Sequence, residues 1–131
     1  MIKRIILAVV AVFVAWSVLD FVIHGVVLMQ AYNDTAQLWR PMEQMKFGLM
    51  HVVVLISATV FVSLYAFFVG KKSMATGIKF GLLFGLGAGV SMGYGTYAVM
   101  PIPYKIAFVW FLGTLAESTV AGLLTGLIVK E

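Results

Sequence analysis

Gly77-Ile78-Lys79-Phe80-Gly81-Leu82-Leu83-Phe84-Gly85-Leu86-Gly87-Ala88-Gly89-Val90-Ser91-Met92-Gly93 is the stretch from which the fold is read. Glycine recurs at 77, 81, 85, 89 and 93, every fourth residue, with apolar residues between. Residues four apart on a helix lie nearly under one another, so the glycines form a groove along one face. Each glycine costs a helix in water about 1 kcal/mol against alanine. In a bilayer the same ladder lets another backbone approach closely, which predicts a glycine-laddered packing hub. On the fourth apolar run, Gly122 and Gly126 add a second small pair at the same spacing.

Composition sets the environment. The 131 residues are 63% hydrophobic and 11% charged, roughly half the charged fraction of a soluble domain. Mean hydropathy is +1.07. These values predict one integral membrane domain. The net charge of +4 does not point to nucleic acid, because the basic residues flank apolar runs. The absence of cysteine excludes disulfides, thiolate metal sites and cysteine catalysis. Phosphate loops, nucleophile elbows and HExxH motifs are absent too, so the expectation is a non-enzymatic protein.

The predicted architecture is an all-α bundle of four transmembrane helices, over about 4–29, 46–70, 76–100 and 104–130. Met1-Ile2-Lys3-Arg4 and the following apolar run read as an uncleaved first helix rather than a removed signal. An interfacial loop, 30–45, places Tyr32 and Trp39 at headgroup level. Pro41, with Glu43 behind it, reads as the start of the second helix, whose membrane part begins near Lys46 or Phe47. Pro101-Ile102-Pro103 ends the third. Six basic residues (Lys3, Arg4, Lys71, Lys72, Lys79, Lys130) fall on one side and three (Arg40, Lys46, Lys105) on the other. Both termini are therefore expected in the cytoplasm of a bacterial inner membrane.

Ionisable groups inside a membrane are costly and are the first functional candidates. They are Asp20, His24, His51 and Glu117. Ser17, Asp20 and His24 share one helical stripe. At 1.5 Å per residue, His24 and His51 lie about 7 Å from the outer end of their spans, Asp20 roughly 14 Å and Glu117 roughly 18 Å. All four can form one outer-half cluster. The simplest reading pairs Asp20 with His24, while Glu117 accepts from His51, Ser17, Tyr94 or Tyr97. Such pairs hold register and contribute under ~2 kcal/mol each. A second reading is a metal site of His24, His51, Asp20 and Glu117, since two histidines and two carboxylates suit zinc, manganese or iron. The outer-side methionines Met29, Met42, Met45, Met50 and Met100 add a copper variant. A b-type haem between His24 and His51 ranks below the metal. A proton-coupled transporter centred on Glu117 is the remaining alternative.

Asp20-Phe21-Val22-Ile23-His24-Gly25, Leu38-Trp39-Arg40-Pro41, and Trp110-Phe111-Leu112-Gly113 with Glu117 and Gly122 resemble small bacterial four-helix membrane proteins of unknown function. The resemblance implies bacterial origin and architecture and carries no activity. The leading expectation is an accessory or structural subunit, packed by its glycine face into a homo-oligomer or a membrane complex. The alternative is a metal-ion or proton-coupled binding or transport protein using Asp20, His24, His51 and Glu117. Expected partners are the lipid bilayer and other membrane subunits or a second copy, without a resident cofactor.

Overall fold

The computed structural model describes residues 1–130. All regular structure among them is helical. Helix α1 covers Ile2–Val22 and runs into a π-helical turn, Ile23–Val27. A short α2, Met29–Asp34, and two 3-10 turns, Ala36–Leu38 and Met42–Gln44, fill the connection to α3, Phe47–Phe68. Helix α4, Met74–Gly89, continues through a second π-helical segment, Val90–Gly95, into α5, Thr96–Val99. Helix α6, Tyr104–Ile128, completes the chain. Four helical stretches are long and apolar enough to cross a membrane: Ile2–Val27, Phe47–Phe68, Met74–Val99 and Tyr104–Ile128.

Each boundary has a local cause. The second long helix begins at Phe47, where its membrane part is expected, and not at Pro41, correcting the proline-and-acid start signal. Pro41 and Met45 hold extended ψ values of 154° and 138°, so only one 3-10 turn forms between them. The first α-helix is also shorter than its apolar run. At the π-helical turn the Leu28 N–H bonds back to the Ile23 carbonyl at 2.9 Å, and Leu28 then leaves helical geometry. Helix α4 starts two residues before the expected position because Ser73 caps it, its Oγ accepting from the Thr76 N–H at 3.0 Å. The buried Tyr65 hydroxyl donates to the Ser73 carbonyl and accepts from the Ser73 N–H, pinning the end of α3 to the start of α4.

The glycines at 77, 81, 85, 89 and 93 are buried against α6 of the same chain. A Cβ on Gly77, Gly81 or Gly93 would collide with the carbonyl oxygen of Gly122, Ser118 or Ala107. One on Gly85 would stand 2.8 Å from the Ser118 Cβ, and one on Gly89 2.9 Å from the Phe111 carbonyl oxygen. The facing surface of α6 is itself small where contact is closest, at Ala107, Ser118, Gly122 and Gly126. Gly87 and Gly95, off this line, have open space beside them.

Helix α1 packs on α6 and α3, and Val12, Trp16, Phe61, Tyr65 and Ala121 form the main core. A second cluster, Leu28, Ile102, Ile106 and Ala107, closes the other end, with Tyr32, Trp39 and Trp110 packed on it. Arg4 donates to the Lys130 carbonyl at 3.2 Å, so the ends of the first and fourth spans lie together. The buried residues of α3, Ala58, Phe61, Val62, Tyr65 and Ala66, all lie in its second half, with Val54 packed against the core before them. Its first half, Phe47 to Val53, is exposed.

Candidate polar site between the helices

Trp110, Gly113, Thr114 and Glu117 recur on α6 at i, i+3, i+4 and i+7, so one face presents all four. Opposite stand Asp20 near the end of α1 and Ile23 and His24 in the first π-helical turn. Met92, from the second π-helical segment, adds the third side. Together these residues line a cavity of about 50 Å³. Both π-helical departures therefore border the same cavity. A wide turn of this kind re-phases the side chains that follow, at about 100° per residue. Gly113 lets the first π-helical turn approach, since a Cβ there would meet the Ile23 Cδ1 at 2.8 Å.

The Asp20 and Glu117 carboxyls come within hydrogen-bonding reach of each other across the α1–α6 contact. Two carboxylates offer only acceptors, so a hydrogen bond between them requires a proton shared by the pair. The pair then carries at most one negative charge, which reduces the cost of placing it among apolar helices. Trp16 helps to hold the register, its indole N–H donating to the Glu117 carbonyl at 2.8 Å. Thr114 Oγ1 donates to the Met92 sulfur at 3.7 Å.

His24 reaches outward rather than to Asp20. Its Nδ1 lies 2.6 Å from the Tyr32 hydroxyl, which also accepts from the Trp110 indole N–H at 2.7 Å. Indole is only a donor, so the tyrosine oxygen accepts from Trp110 and its own proton is free to point to His24 Nδ1. In that arrangement the imidazole is neutral, with its proton on Nε2. The chain of groups, Trp110 to Tyr32 to His24, is braced by the stacked His24 and Tyr32 rings, with centroids 5.9 Å apart, and by Trp39 edge-on to Tyr32 at 5.3 Å. Burial raises the Tyr32 hydroxyl pKa; the Trp110 bond opposes this, and the Asp20 charge adds to the rise.

Of the four ionisable candidates, the cavity gathers Asp20, His24 and Glu117. His51 is not among its lining residues. It is exposed on α3, with Nδ1 donating to the Phe47 carbonyl at 2.7 Å. Ser17 also stays outside, because its hydroxyl bonds to the Phe13 carbonyl one turn back. Tyr94 pairs with Tyr104 rather than with Glu117. Among the described residues no three His, Asp or Glu side chains gather so as to hold a metal ion. A haem does not fit the cavity of about 50 Å³, far below the roughly 300 Å³ of small-molecule pockets. The residues present fit neither group.

Comparison with protein-family models, with curated proteins and with solved structures gives no match.

Sequence reasoning passed over Tyr32, Trp110, Met92, Gly113 and Thr114 as parts of the site. The i, i+3, i+4, i+7 stripe on α6 was the available signal for three of them. Tyr32 had none, since its position depends on how the chain turns after Leu28.

Proposed function

We propose that this chain is a multi-pass membrane protein that binds and releases a proton at the Asp20–Glu117 pair, as the coupling site of a proton-linked binding or transport function. The carrying observation is the convergence of Asp20, His24 and Glu117 on one cavity inside an otherwise apolar bundle. Carboxyls placed within a membrane bundle are expensive and are typical of proton and ion pathways. The cavity of about 50 Å³ has room for a few water molecules. It favours a proton, water or a bare small cation over an organic substrate. The lack of a three-ligand metal cluster among the described residues favours the proton.

Difference infrared spectroscopy on pH change tests this in reconstituted protein. The expected result is a protonated-carboxyl band that shifts in Glu117→Gln and Asp20→Asn and titrates in the wild type. A carboxyl region that ignores both pH and these substitutions would sink the proposal.

The exposed first half of α3 supports a second reading, an accessory subunit of a homo-oligomer or membrane complex. The glycine face is occupied by α6, so a partner would meet another face, such as the exposed start of α3. Native mass spectrometry of protein released gently from its own membrane separates these readings by copy number and foreign subunits. We place the protein in a bacterial inner membrane with both termini cytoplasmic. The support is the unequal count of basic residues, the resemblance to small bacterial membrane proteins, and the adjacent ends at Arg4 and Lys130.

A further inference from the structure

A groove of about 450 Å³ lies between the α3 start and the segment before it. This is within the range of small-molecule sites. One part of its lining is cationic, from Arg40 and Lys46, and no carboxylate contributes. The other part is apolar, from Trp39 and from Leu49, Met50 and Val53 on successive turns of α3. The Trp39 indole N–H is already used, donating to Thr35 Oγ1 at 2.9 Å, so its ring serves the groove as an apolar wall. A Cβ on Gly48 would meet nothing within 4 Å, so no part of the described chain covers that side of the first turn of α3.

The two parts are arranged along the direction of a membrane span. Lys46 and Arg40 precede Phe47, where the span begins, and the apolar wall follows it by about one turn. Positive charge at headgroup depth above an apolar track matches an anionic glycerophospholipid. Its phosphate would meet Arg40 and Lys46, and an acyl chain would follow Leu49 to Val53. We propose that this groove holds one anionic phospholipid. The inference rests on the bilayer reading of the four spans and is independent of the carboxyl pair.

The test offers purified protein in detergent an equimolar mixture of phosphatidylglycerol and phosphatidylcholine with identical chains, and counts retained lipids by native mass spectrometry. Wild-type protein should retain one phosphatidylglycerol with roughly thirtyfold preference, as expected for two basic groups. Arg40→Gln with Lys46→Gln should lose that preference. Val53→Trp, which fills the apolar part, should lower retention of both lipids at unchanged helicity. Lys71→Gln with Lys72→Gln, at the other end of α3, should behave as wild type. Equal retention of the two lipids by wild type, or preference that survives the Arg40 and Lys46 substitutions, overturns the proposal. So does saturation of the site by inorganic phosphate alone. Carbonate extraction of native membranes tests the bilayer reading separately: a chain that stays in the pellet but shows no lipid preference refutes the groove and leaves the spans standing.

Discussion

Asp20 and Glu117 face each other because Trp16 fixes the α1–α6 register through the Glu117 carbonyl. Replacing Glu117 by Gln keeps a donor for the Asp20 carboxylate. Replacing it by Leu leaves Asp20 without its partner. Glu117→Gln should therefore unfold close to wild type, while Glu117→Leu should lose about 1–3 kcal/mol of stability. Thermal denaturation in detergent gives the comparison, and equal loss in both variants would remove the carboxyl pair from the account. Tyr32 gives a second prediction. Its hydroxyl pKa is raised above the ordinary 10.0 by burial and lowered by the Trp110 N–H. Deprotonation thus favours the unfolded chain. The Tyr32 contribution is intact below the unfolded value and is lost as pH rises through the folded one. An absorbance titration should show a late-ionising tyrosine component that is shifted later still in Trp110→Phe. A titration unchanged by that substitution would deny the bond.

At the scale of elements, the α4–α6 contact is set by backbone against backbone. Gly81→Ala puts a methyl into the Ser118 carbonyl, whereas Gly87→Ala meets open space. The first should cost about 1–3 kcal/mol as overpacking, and the second should gain up to about 1 kcal/mol from helix propensity. Unfolding curves of the two single variants measure the difference; equal stabilities would contradict the close crossing. The glycine spacing was legible in the sequence, as were Gly122 and Gly126, but the choice of α6 as partner was not. A ladder without side chains is equally suited to any small-faced helix. The Pro41 signal misled because a favourable first residue does not extend a helix through Met45, whose backbone is extended. Neither π-helical segment was legible, since nothing in Ile23–Val27 or Val90–Gly95 requires the longer hydrogen bond.

For the whole molecule, the four long apolar helices bring the ends of the first and fourth together, and Arg4 reaches the Lys130 carbonyl. The chain has no cysteine, so single introduced cysteines report sidedness without background. Lys130→Cys and Gln37→Cys should react with a membrane-impermeant maleimide from opposite faces of sealed vesicles. Labelling from the same face would overturn the four-span topology. Length, hydropathy and the basic flanks settle how many apolar helices form and nearly where each lies, because these follow from local composition and the apolar length of each run. The sequence alone also marked Asp20, His24 and Glu117 as out of place among apolar neighbours. Only the tertiary structure decided that these three share a cavity while His51 and Ser17 do not. Helix rotation, π-helical phase and the return of Tyr32 over His24 are set by long-range packing, in which a shift of one residue turns a side chain about 100° away from its partner.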